Sequence, residues 1–204
     1  MADSAFEIDI SNRQSALAFD EKRVQAAALR ALAIEQVASA VLSISVVDNS
    51  AIHKINRDHL QHDYPTDVIS FHLDFVSAGD LQCDDEDLLD EDDSEDDSED
   101  DAEIDDDSVD VTDCELLTEG RAAGAAIEGE IIASAEMAVS MATDGEWSAE
   151  AELILYIVHG LLHICGYDDL TPEEKCIMRA RERAILSELG LTAIYAEDAE
   201  EDRY

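Results

Sequence analysis

The sequence has little positive charge. Its 204 residues include 12 Lys and Arg against 52 Asp and Glu, a formal net charge of −40. A surface of that sign repels a phosphate backbone at long range. DNA is therefore not an expected partner, and any RNA must be held by a local site. Long apolar runs are missing too. The most apolar window, Leu153 to Cys165, is too short to cross a bilayer and carries two histidines, so no membrane partner is expected. The opening MADSAFEIDI has neither a basic start nor an apolar run, unlike a signal peptide, and a cytoplasmic protein is expected. The four cysteines, Cys83, Cys114, Cys165 and Cys176, form no CxxC pair, which points to free thiols.

What is present is unevenly spread. Apolar residues make up 46% of the chain, enough for a core. Residues 80 to 119 hold 23 acids and no Lys or Arg; taking them out leaves 29 acids against 12 bases, still an acidic remainder. Dense like charge with few apolar side chains cannot offset chain entropy by burial. A disordered acidic insertion is therefore expected at about 78–122. Short elements of the same kinds flank it, which implies one domain, 1–204, interrupted by the insertion.

The elements follow from periodicity and caps. FEIDIS (Phe6 to Ser11) alternates as a half-buried strand does. Val24, Ala27, Ala28, Ala31 and Ile34 recur at helical spacing and predict a helix from about Asp20 to Val37. VLSISVVD (Val41 to Asp48) is a strand by its β-branched content, and Asp48-Asn49-Ser50 caps a helix carrying Ile52, Ile55 and Asn56. Pro65 bars a helix, and Val68, Ile69 and Phe71 favour a strand. Beyond the acidic tract, Glu130 to Ser134 reads as a strand and Glu136 to Ala142 as a short helix. Ser148 caps a longer helix with a broad apolar face, and Gly166 is placed to end it in a left-handed cap. Thr171-Pro172-Glu173-Glu174 opens a last helix through a capping box; it runs to about Leu189 and stops at Gly190. The expected class is α+β, a single small mixed sheet layered on helices.

HGLLHICGYDD (His159 to Asp169) is the densest cluster of potential ligands. His159 and His163 lie one helical turn apart and can aim two imidazoles at one point, as zinc-chelating helices do. Alone, such a pair is more often a chance, surface or core feature. Here the helix is otherwise apolar, and unsatisfied histidines on it would be costly to bury. Gly166 turns the chain so that Asp168 or Asp169 can swing back, completing two nitrogens and one oxygen with a position open for water. A zinc peptidase needs a glutamate directly after the first histidine as general base; this sequence has Gly160 there, so that reading loses its catalytic residue. His53, His59, His62 and His72 are scattered and read as solvated surface residues.

HGLLHICGYDD is similar to the signature of the YbeY family, bacterial endoribonucleases of ribosomal RNA maturation. INRDHLQHDYPTDVISF (Ile55 to Phe71) resembles the family's second block, and EGEIIAS its Gly-Asp-Ile strand. The three blocks stand in the family's order, and the acidic tract falls between the second and third. The resemblance implies an α+β fold and one metal, Zn2+ or another divalent ion, held by His159, His163 and Asp169. Asp169 departs from the usual histidine. It remains a competent ligand, adds negative charge and favours metals that prefer oxygen. The family arginine implicated in cleavage falls on Leu60; Arg57, three residues earlier, is the candidate substrate-binding replacement.

The reading is a metal-dependent endoribonuclease acting on single-stranded-type RNA in rRNA maturation and ribosome biogenesis. Its partners would be rRNA and the ribosomal subunit or ribosomal proteins, on which the acidic tract could dock. The rivals are a non-catalytic ribosome-assembly factor with a structural metal and a metal hydrolase of a small non-RNA substrate.

Overall fold

Strand β1 (Phe6–Asn12) runs parallel to β2 (Ser39–Val47), and helix α1 (Glu21–Ile34) connects them. The computed structural model describes residues 5–76, 120–144, 147–193 and 195. Asp20 starts α1 by accepting from the backbone N–H of Lys22, and Val24, Ala27, Ala28, Ala31 and Leu32 form its buried stripe. β2 also runs parallel to β4 (Ala126–Ser134), and β4 pairs antiparallel with β3 (Val68–Val76). Among the described residues the strand order is β1-β2-β4-β3 in one mixed sheet, and with the five helices there the fold is α+β, as expected.

The two faces of the sheet are covered differently. On β2, Ala40, Leu42, Ile44 and Val46 point to the main core, while Val47 belongs to a smaller cluster. The main core is built against α1, α4 (Ala149–Ile164) and α5 (Pro172–Glu188), with Leu153, Ile157, Leu161 and Leu162 of α4 fully buried. Burying each such side chain contributes roughly 1.5–3 kcal/mol. On the opposite face, Ile52 of α2 (Asn49–Leu60) joins Val47, Ile69 and Ile132 in the smaller cluster. Helix α3 (Ala135–Asp144) follows β4 directly and packs on α4.

Glycine at position 160 eases close packing. A Cβ there would meet Ile131 Cγ2 and Val68 Cγ2, each at 3.2 Å, so a side chain at that position would press on β3 and β4 and make these two side chains give by a few tenths of an ångström. That close approach brings the C-terminal turn of α4 against the sheet.

The caps fall where the sequence placed them. Ser148 accepts from Ala151 N–H, and Thr171 and Glu174 form a full capping box. Gly166 takes φ +88° beyond the end of α4. The Gly166 N–H donates to the His163 carbonyl and the Tyr167 N–H to the Leu162 carbonyl, the paired bonds of a Schellman cap.

Some boundaries differ. α1 ends at Ile34, three residues short of expectation, because Gln36 turns the chain at φ +57°. β4 begins at Ala126 instead of Glu130; its start contains Gly129, which reads as a weak strand residue but lies under Ile164 of α4. Most of the expected insertion at about 78–122 lies outside the described residues; its last positions do not, since Ala122 is fully buried. Cys165 is a free, buried thiol as expected. Cys176 is disulfide-bonded, where the lack of a CxxC pair had pointed to a free thiol.

Candidate metal centre

The last turn of α4 carries His159 and His163, and the turn after Gly166 brings Asp169 back over them. Ligand atoms of these three residues all lie within 4.8 Å of one another. The two Nε2 atoms are 3.1 Å apart, and the Asp169 carboxylate oxygens stand 3.8 Å from His159 Nε2 and 3.9 Å from His163 Nε2. The three residues named from the sequence thus lie together, and Asp168 serves the turn, accepting from Asp169 N–H at 2.8 Å.

The other ring nitrogen of each histidine is engaged. His163 Nδ1 lies 3.0 Å from the Tyr167 carbonyl, and His159 Nδ1 lies 2.7 Å from Glu182 Oε1. A carbonyl only accepts, and so does a carboxylate, so both Nδ1 atoms carry protons. Both Nε2 lone pairs then converge on one space with the Asp169 carboxylate. That arrangement is repulsive unless positive charge lies between the three groups. Four-coordinate zinc with bonds of about 2.0–2.2 Å separates its ligands by roughly 3.3–3.5 Å. The Nε2 pair stands slightly inside that range and each Asp169 oxygen slightly outside it from its nearer Nε2, so a small rotation of the Asp169 side chain toward the histidines would complete such a set. Burial lowers the pKa of His159, but the hydrogen bond and charge of Glu182, with Asp169 and Asp67 beyond, raise it on balance. The pocket attracts positive charge.

The supporting residues were not singled out from the sequence. Glu182 of α5 is 2% exposed and also accepts from the Tyr195 hydroxyl at 2.6 Å. Burial and the adjacent Glu182 push that hydroxyl far above its ordinary pKa, so it stays a donor. Tyr167 donates to Glu35 Oε2 at 2.8 Å, and Arg181 Nε donates to Glu35 Oε1 at 2.8 Å, both bonds buried. Burial, then the bond to Glu35, pushes the Tyr167 hydroxyl up to about 12. Arg121 lies over the Tyr167 ring at 4.7 Å and donates to the Gly166 carbonyl at 2.9 Å. This cluster fixes the turn that supplies Asp169. The available sequence signal was the pair Arg181 and Glu182, two charges on the buried stripe of α5 with Met178 and Ile185.

The family model for endoribonuclease YbeY matches residues 9–190. The chain belongs to the YbeY family. An endoribonuclease YbeY of Rhodopirellula baltica is 30% identical over 193 residues, covering 94% of this chain and 75% of that one. One from Geobacillus is 34% identical over 160 residues, covering 78% and 80%. A Thermotoga maritima protein solved in solution covers 90% of this chain and 91% of its own at TM-score 0.47 and 15% identity.

The histidine pair opens onto a cleft of about 440 Å³ between α4, β3 and the loop after α2. Leu60, at the position of the YbeY arginine, lines it. Arg57 does not; it is exposed on α2 and donates to the neighbouring Asp58 at 3.2 Å. Among the described residues, no Lys or Arg lines the cleft. Two of the histidines taken as surface residues, His62 and His72, do. His53 instead faces Asp63 at 2.8 Å, and His59 sets its edge on Phe71. No described helix is long and apolar enough to cross a membrane.

Proposed function

We propose that this chain is a metal-dependent endoribonuclease that cuts single-stranded-type regions of ribosomal RNA during ribosome biogenesis, in the cytoplasm. Membership in a family whose relatives are named endoribonuclease YbeY supports the activity. The observation that carries the mechanism is the convergence of two Nε2 lone pairs and one carboxylate at the cleft floor, with both Nδ1 protons committed elsewhere. His159, His163 and Asp169 are the proposed ligands of one Zn2+, with other divalent metals as substitutes. A metal so held supplies Lewis acidity to a phosphoryl oxygen or a water. The chain's own part is to fix the two imidazoles through Glu182 and the Tyr167 carbonyl, and to present Asp169 through the Gly166 turn. The proposed domain plan is one unit, 1–204, interrupted by the acidic insertion.

Leu60 and the cation-free cleft favour a second reading, a ribosome-assembly factor in which the metal is structural. One experiment separates them. Purified wild type and His163→Ala are assayed for bound zinc and for cleavage of structured rRNA. Zinc near one per chain in wild type, lost in the variant together with cleavage, supports the nuclease. Zinc lost with cleavage equal in both would assign the cutting to a contaminant and leave the assembly factor.

A further inference from the structure

The cleft must accept a polyanion on a chain of net charge −40, yet no Lys or Arg lines it among the described residues. Phosphate neutralisation, the usual source of RNA affinity, is therefore weak at this wall. What the wall offers is flat. Tyr64 and His62 both line the cleft and are stacked, ring centroids 5.4 Å apart and planes 11° from parallel. Tyr64 is 55% exposed although His62 is stacked on its ring, so ring surface remains open to a further partner. Its backbone is held: the side chain of Asn56, itself 2% exposed, donates to the Tyr64 carbonyl at 2.8 Å, and Pro65 follows. Gln61, at φ +61°, ends α2 and starts the loop that carries both rings. The loop thus presents an aromatic pair at a fixed place on the wall facing the two metal-site histidines.

We propose that the Tyr64–His62 pair is a stacking platform for an unpaired RNA base, and that this stacking replaces the guanidinium the family places at the position of Leu60. The proposal rests on the endoribonuclease reading for its substrate class. A base presents a π-face whatever its identity, so the platform selects single strands without selecting sequence. A duplex keeps its bases stacked on one another and has no free face to give. Affinity that comes from stacking instead of phosphate contacts also falls little with added salt.

The test uses the full chain and a fluorescent single-stranded RNA 12-mer, with binding read by anisotropy. Tyr64→Ala is expected to weaken binding on the order of tenfold. Tyr64→Trp should bind at least as well as wild type, and zinc content should be unchanged in both. A duplex of the same sequence should bind more weakly than the single strand. The slope of log Kd against log salt should correspond to about two phosphate contacts or fewer. Wild-type affinity in Tyr64→Ala, equal loss in the alanine and tryptophan variants, or a steep salt slope would each overturn the platform. Cleavage is scored separately with wild type and His163→Ala. Its failure would sink the nuclease and leave the binding result to judge the platform alone.

Discussion

His159 keeps its Nδ1 proton on Glu182, and that single hydrogen bond decides which nitrogen faces Asp169 and His163. A carboxylate partner also makes the imidazole a stronger donor to a metal. Glu182→Gln keeps the shape and a hydrogen-bond acceptor but removes the charge. Zinc affinity is expected to fall by about 10- to 100-fold in a chelator competition, and cleavage should recover when zinc is added in excess. The same residue sets a pH dependence with opposite signs in the two metal states. In metal-free protein the His159 pKa lies above its ordinary 6.5, so the folded state gains stability from the protonated ring. That gain is complete below about 6.5, the unfolded value, and disappears as pH rises through the higher folded value. Zinc needs the neutral ring, so its affinity should rise over the same interval. Thermal unfolding of the chelated protein, taken as the difference from chelated His159→Gln, should show the advantage shrinking from pH 6 to 8. Metal titrations across that range should tighten.

Among the elements, α4 carries two of the three proposed metal ligands but does not fix them alone. Its Schellman turn is locked by Tyr167 onto Glu35 behind α1, where Arg181 of α5 completes the cluster. Tyr167→Phe removes the buried hydrogen bond to Glu35 and the longer one accepted from Arg121 N–H, while leaving Arg181 on Glu35. An expected loss of about 1–2 kcal/mol in denaturant unfolding should accompany weaker zinc binding, since Asp169 depends on the same turn. Undiminished zinc affinity would mean that Gly166 alone aims the loop. The caps at Asp48, Ser148, Thr171 and Gly166 were legible in the sequence because each is a contact within a few residues. The closeness of His159, His163 and Asp169 was legible for the same reason, with the family resemblance choosing Asp169 over Asp168. Glu182, Glu35 and Tyr195 were not, because their roles exist only once α5 lies against α1 and α4. Gly160 shows the limit from the other side. Its absent side chain excluded a peptidase glutamate, but the close approach to Ile131 and Val68 that favours glycine is long-range.

The charge of the whole chain is concentrated in one sequence tract, residues 80 to 119, whose removal would change the net from −40 to −17. Deleting it is expected to leave the far-UV circular dichroism of the folded part and the zinc content intact. Loss of cooperative unfolding in the deletion would show the tract to be part of the fold. Self-repulsion should also be larger in the full chain, so added salt should raise its thermal midpoint more than that of the deletion variant.

Tyr195 is 9% exposed, with Arg179 and Arg183 over its ring at 4.4 and 4.9 Å and its hydroxyl on Glu182. The last described residue of the chain is thereby two hydrogen bonds from His159, a proposed metal ligand. A chain clipped just after Leu191 would keep every strand and helix named above, and its circular dichroism should pass for wild type. Its zinc should nonetheless exchange faster in a chelator chase, because Glu182 would have lost the donor that holds it in place. Proteolytic trimming at this end would leave the secondary structure unchanged, lower the unfolding midpoint through the lost Tyr195 contacts, and speed the release of a metal held at the proposed site.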